Sequence, residues 1–189
     1  QLDLAVEHGV NFIDTAEMYP VAPRAETSGR TESYVGSWLK KQQRDQLIVA
    51  TKIAGPSRGF SWIRNGPRIN RQHIKSAIDR SLIHLQTDYV DLYQIHWPDR
   101  YVPMFGTTSY EVAQQHDTTP ILEQLEALSS LVQAGKVRYI GLSNETAWGV
   151  SEFLRCAEKF SLPKIISVQN AYHLMNRSFE SGFAEMCHH

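Results

Sequence analysis

The chain is poor in cysteine, in net charge and in long apolar runs, and each shortage removes a class of protein. Only Cys156 and Cys187 occur in its 189 residues. They support neither a disulfide framework nor a thiolate metal site, and they agree with a reducing compartment such as the cytoplasm or the plastid stroma. The formal net charge is −1, so no charge excess recommends nucleic acid or a membrane surface as a partner. Apolar runs are of strand length, far below the roughly 18 residues that mark a membrane span. Neither a Gly-x-Gly-x-x-Gly nor a Walker loop is present, which argues against a Rossmann dehydrogenase and a P-loop enzyme. His8, His73, His84 and His173 lack zinc-ligand spacing and read as surface or helix-packing residues, so no metal is expected.

What is present is ordinary in bulk and informative in order. With 42% hydrophobic and 21% charged residues, the chain can build one globular domain with a sizeable core. Five apolar runs each deliver a chemically competent residue at their C-terminal end. Val10–Ile13 leads to Asp14, Leu47–Thr51 to Lys52, and Val90–Ile95 to His96. Tyr139–Leu142 leads to Ser143 and Asn144, and Ile165–Val168 to Gln169 and Asn170. Helical patterns separate the runs, so they read as parallel strands of successive βα units, α/β in class. In a (β/α)8 barrel all such strand ends open onto one face, where barrel enzymes carry their chemistry.

The helices have readable limits. Asn70 caps Arg71–Leu85, whose Ile74, Ala77, Ile78, Leu82 and Leu85 share a face. Thr119 and Pro120 read as a cap and first helical position for Pro120–Ala134, which Gly135 ends. Thr146 caps Ala147–Lys159, and Arg30–Lys41 packs Tyr34, Val35, Trp38 and Leu39. Two connections, Ala54–Asn70 and Pro98–Thr119, are too long for simple turns. Both follow strand ends, so their Phe60, Trp62, Tyr101, Phe105 and Tyr110 either line an apolar substrate pocket or pack locally.

The termini read as cut. Gln1–Gly9 is the back half of a helix without its preceding strand, and Ser178–His189 reads as a helix just begun. His188 and His189 are native or a cloning remnant. A closed barrel typically takes about 250 residues, so five strands imply one more before and two after, and the expectation is a single partial domain over residues 1–189.

Taken together the motifs resemble the aldo-keto reductase family. The segments are Gly9–Tyr19 (Gly-Val-Asn-Phe-Ile-Asp-Thr-Ala-Glu-Met-Tyr), Thr51-Lys52, Gln94–Pro98 and Gly135–Asn144. Tyr19–Glu32 and Gln169–Glu180 are most similar to its Tas-like branch. The resemblance implies a catalytic tetrad of Asp14, Tyr19, Lys52 and His96, NADPH (NADP+) as cofactor, and a small carbonyl compound as substrate. It also implies that Ser143, Asn144 and Gln169 contact the nicotinamide, whose carboxamide needs both donors and acceptors. Family segments that grip the cofactor's phosphates fall outside this chain, so its activity alone is doubted.

The chemistry of the tetrad is coherent. Carbonyl reduction needs hydride on carbon and a proton on the developing alkoxide. Tyr19 is expected to give the proton, the Lys52 ammonium to strengthen its acidity, Asp14 to hold Lys52 charged, and His96 to orient the carbonyl oxygen as a neutral donor or an imidazolium. Taken singly, each has a blander use: Asp14 as a cap, Tyr19 in loop packing, His96 in the core, and Asn144 in helix capping. Two other functions remain open on the same residues, a cofactor-binding regulatory subunit of the potassium-channel β type and an inactive truncated product.

Overall fold

The computed structural model describes residues 1–189 apart from Thr108 and the side chain of Arg58. Elements alternate along the chain: α1 (Leu2–Glu7), β1 (Phe12–Asp14), α2 (Arg30–Leu39), β2 (Ile48–Ile53), α3 (Arg71–Leu85) and β3 (Val90–Ile95). There follow α4 (Ile121–Gln133), β4 (Val137–Ser143), α5 (Ala147–Phe160), β5 (Ile165–Gln169) and α6 (Phe183–His188). The five strands form one parallel sheet in sequence order. No described helix is long and apolar enough to cross a membrane.

Strand alternation divides the sheet into two faces. Ile13, Val49, Ile53, Tyr93, Ile95, Ile140 and Leu142 join the helices in the main core, with Ile74, Ile78, Leu85, Leu125, Leu128, Val150 and Phe153 opposite them. The other face is polar near the strand ends. Registers Lys52↔Gln94, Gln94↔Gly141 and Ser143↔Gln169 bring these positions into neighbouring rows. The sheet curls strongly, because Gln169 Nε2 on edge strand β5 donates to Asp14 Oδ2 on the opposite edge strand β1 at 3.2 Å. β3, at the centre, is buried at all six positions.

Caps explain two helix starts. Asn70 Oδ1 accepts from His73 N at 2.9 Å, and Thr146 Oγ1 accepts from Gly149 N at 3.1 Å. Thr119 differs from expectation. Its N–H donates to Asp99 Oδ2 at 2.7 Å, and Pro120 has an extended ψ of 142°, so α4 starts at Ile121 without a side-chain cap. Asp99 also accepts from Ile69 N and from Nε and Nη2 of Arg68, each at 3.0 Å. Burial alone would raise its carboxyl, yet these donors prevail and lower it. The outcome is a staple that holds both ends of the long segment after β3 against the end of the long segment after β2.

Other limits shift for local reasons. Val10 is exposed and β1 begins at Phe12, whereas β2 runs through Lys52 to Ile53. Gly182, with φ +86°, divides the last segment into a short 3-10 turn at Ser178–Glu180 and α6. α2 ends at Leu39, and Tyr34 is 71% exposed rather than packed. The inward positions are Glu32, Val35, Gly36 and Leu39. Buried Glu32 accepts from Thr51 Oγ1 at 2.6 Å and meets His84 Nδ1 at 3.3 Å, so a carboxylate occupies a place the pattern gives to an apolar residue.

At Gly36 the backbone of α2 lies directly on that of α3. A Cβ there would collide with His84 O and the Leu85 backbone. Helix propensity alone makes Gly36→Ala stabilising by roughly 0.5–1 kcal/mol. The close approach instead predicts a net loss of about 1–3 kcal/mol, measured as a lower urea midpoint at unchanged slope.

Candidate active site

The ends of β1, β2 and β3 bring three ionisable residues to one place. Lys52 is 1% exposed, and its Nζ donates to Asp14 Oδ2 at 2.6 Å and to Thr15 O at 2.9 Å. A buried ammonium needs such partners, since desolvation disfavours its charge. Burial lowers the Lys52 pKa, and the bond to Asp14 and its charge offset only part of that. Asp14 in turn accepts from Gln94 Nε2 and Gln169 Nε2, each at 3.2 Å. The carboxylate is therefore fixed by three side chains from three strands.

Tyr19 and His96 lie beside this pair. Their ring centroids are 5.6 Å apart and nearly perpendicular, and Lys52 Nζ stands 5.3 Å from the Tyr19 ring centroid. Burial, with the negative charge of Asp14, raises the Tyr19 pKa above its ordinary value. The expectation of a phenol acidified at rest by Lys52 is thus not met: burial first, and the Asp14 charge second, push the pKa the other way. His96 is pushed down to about 3, first by burial and then by the Lys52 charge, so it is neutral at physiological pH. Among the described residues its Nδ1 finds no partner.

Tyr19 and His96 open onto a cleft of about 500 Å³. Its walls are apolar: Met18, Phe60, Trp97, Met104 and Phe105 with Pro56 among others. Of the loop aromatics singled out in the sequence, Phe60 and Phe105 line the cleft. Trp62 packs edge-on against Phe60 at 5.6 Å, and Tyr101 pairs with Tyr110 at 5.5 Å, all three outside the lining.

The three amide and hydroxyl candidates sit at the ends of β4 and β5. Ser143 Oγ donates to Gln169 O at 2.8 Å and receives Asn144 Nδ2 at 3.2 Å. Asn144, in the left-handed region at φ +50°, also donates Nδ2 to His96 O at 2.9 Å. Its side chain thus ties β4 to the end of β3. The hydroxyl of Ser143 is engaged within the sheet. Asn144 and Gln169 direct their N–H groups into the protein, and among the described residues their side-chain carbonyl oxygens take no protein donor.

Several functional contributors escaped the sequence reading. Gln94 lies two positions before His96 on the same strand face, so alternation alone was a usable signal. Met18 and Trp97 stood inside the quoted motifs without an assigned role. The buried pair of Glu17 with Arg64, at 2.5 Å, has no local signal, since the partners lie in different loops. Among the described residues no cluster of His, Cys, Asp and Glu is arranged to hold a metal.

The sequence model of the Aldo/keto reductase family matches residues 1–189. The chain belongs to the aldo/keto reductase family. It is 51% identical over 188 residues to Protein tas of Escherichia coli (strain K12), a match covering 98% of this chain and 54% of that protein. Against an aldo-keto reductase of Babesia bovis it is 41% identical over 152 residues, covering 75% of this chain and 53% of the relative. The chain thus spans about half the length of these curated relatives. Its fold is similar to the crystal structure of the thermostable aldo-keto reductase Tm1743 in complex with the inhibitor epalrestat. That match has a TM-score of 0.73 and 28% identity, and it covers 98% of this chain and 54% of that one. The open sheet is accordingly a half-barrel of the aldo-keto reductase type.

The low pKa of His96 has a consequence for stability. Between its ordinary 6.5 and about 3, the unfolded chain holds a proton on this imidazole that the folded chain does not. Stability is therefore complete above the upper value and falls as pH drops through the window. From about pH 7 to about pH 4 this one group removes roughly 3 kcal/mol. His96→Gln is expected to lose that much less over the same interval in urea unfolding.

Proposed function

We propose that this aldo/keto reductase domain reduces an aldehyde or ketone to an alcohol with NADPH. Tyr19 gives the proton, while Lys52, Asp14 and His96 assist. The observation that carries the reading is a buried Lys52 paired with Asp14, beside Tyr19 and His96 at the mouth of an apolar cleft. The continuous core beneath one sheet supports reading residues 1–189 as part of a single domain of this type.

Bound NADPH would supply the hydride that reduces the carbonyl carbon. The site residues fit its nicotinamide end: the side-chain carbonyl oxygens of Asn144 and Gln169 suit the N–H groups of a carboxamide. Ser143, already engaged, acts by holding Gln169 and Asn144 in place. NADPH rather than NADH comes from the family resemblance.

The protein's part is to supply and accept charge at the carbonyl oxygen. At rest the raised pKa of Tyr19 keeps the phenol protonated, so the donor is always loaded near neutrality. As alkoxide character develops, the phenolic proton moves to it and negative charge arrives on Tyr19. Lys52, 5.3 Å from the ring centroid, attracts that charge, while burial and Asp14 oppose it and on balance leave the phenol harder to ionise than usual. Neutral His96 is kept from becoming cationic by burial. With Nδ1 unpartnered, its proton belongs on Nε2, the nitrogen able to donate to the substrate oxygen. The apolar walls exclude water and favour an uncharged, aromatic carbonyl compound.

The test is NADPH oxidation by the 189-residue chain with benzaldehyde. Tyr19→Phe is expected to lower turnover by about 10²–10⁴-fold, with cofactor affinity, read by tryptophan quenching, unchanged. Turnover that survives Tyr19→Phe would overturn the reading of Tyr19 as proton donor, and no turnover from cofactor-saturated chain would overturn activity of residues 1–189 by themselves.

A further inference from the structure

The turn that carries Tyr19 is fastened by a buried ion pair that no step of the proposed reaction uses. Glu17 lies two residues before Tyr19, with its side chain 4% exposed. Its backbone N–H donates to Lys52 O at 3.2 Å. Its carboxylate accepts from Ala54 N at 2.7 Å and from the two terminal nitrogens of Arg64 at 2.5 and 2.7 Å. One residue is therefore tied by its backbone to the strand bearing Lys52 and by its side chain to the loop beyond that strand.

Arg64 meets this carboxylate with both arms of its fork, a geometry that lysine does not reproduce. It does so from the left-handed region, at φ +49°, which non-glycine residues seldom occupy. Around the pair, Ala16, Met18, Ala54, Ile63 and Trp97 form a small apolar cluster with Tyr19, Phe60 and Met104 packed against it. Met18, Tyr19, Phe60, Trp97 and Met104 of that cluster also line the cleft. A buried pair is weak evidence for stability in itself. Here two of the contacts, Glu17 N to Lys52 O and Ala54 N to the Glu17 carboxylate, tie the turn carrying Tyr19 to the strand end carrying Lys52.

We infer that Glu17 and Arg64 are positioning residues that hold the Tyr19 phenol in register with Lys52 and His96. The inference rests on the reading of Tyr19 as proton donor. Removing the guanidinium leaves a carboxylate buried and unmatched, and the turn must open to hydrate it. A displacement of about 1 Å at the donor is enough to cost about 10²-fold in rate.

The experiment is a double-mutant cycle of Arg64→Met with Tyr19→Phe, read by NADPH oxidation with benzaldehyde. Arg64→Met is expected to lower kcat about 10- to 100-fold with the aldehyde KM changed less than about threefold. In the Tyr19→Phe background it should have no further effect. Arg64→Lys, which keeps the charge without the fork, should fall between, and it replaces Arg64→Met in the cycle if that variant does not fold. In cofactor-free chain, amide exchange over residues 15–23 should quicken at least about tenfold in Arg64→Met, reporting local opening. Arg155→Met, which removes an exposed pair with Glu152, should leave it unchanged. Multiplicative effects of the two substitutions, or unchanged exchange in Arg64→Met, would overturn this inference alone. A silent Tyr19→Phe would overturn the proton-donor reading, a parent chain without turnover would overturn activity of residues 1–189 by themselves, and either would overturn this inference too.

Discussion

A lysine with almost no access to water governs this site. Lys52 remains an ammonium only because Asp14 and the Thr15 carbonyl take its hydrogens, and Asp14 is held in place by Gln94 and Gln169. Removing a charge from water is costly unless every partner is in position. The polar rows on four strands are thus mutually dependent, and the bond from Gln169 to Asp14 requires the sheet edges to approach. Curvature of the sheet and electrostatics of the site are two views of one constraint.

Burial at the same strand ends also governs Tyr19. Its phenol lies beside the Lys52–Asp14 pair, and desolvation, followed by the Asp14 charge, raises its pKa above the ordinary value. The same burial holds His96 neutral. Under the proposed reaction these groups would be fixed in place before negative charge develops on a substrate oxygen, the condition for electrostatic preorganisation.

Much of this was readable in the sequence because it depends on local order. Five apolar runs ending in polar residues located the strands and the face that matters, and Asn70 and Thr146 announced their helices through side-chain caps. What escaped depends on partners distant in the chain. Thr119 has the right type for a cap, but Asp99 takes its N–H instead. Glu32 breaks an apolar stripe because Thr51 and His84 await it across the layer. The expected acidification of Tyr19 fails chiefly because its phenol is desolvated by burial, which depends on tertiary packing, with the Asp14 charge acting in the same direction. Trp62, Tyr101 and Tyr110 lie in the right loops, yet they stack with neighbours rather than line the cleft.

The carboxylate of Asp99 joins Thr119 to Ile69 and Arg68, closing the segment from Asp99 to Thr119 at its neck. That closure places the two ends of the segment beside one another. Met104 and Phe105 project from that interior into the cleft, whereas His96 lies on the rigid side of the neck. Part of the cleft's apolar wall and His96 therefore lie on opposite sides of that neck.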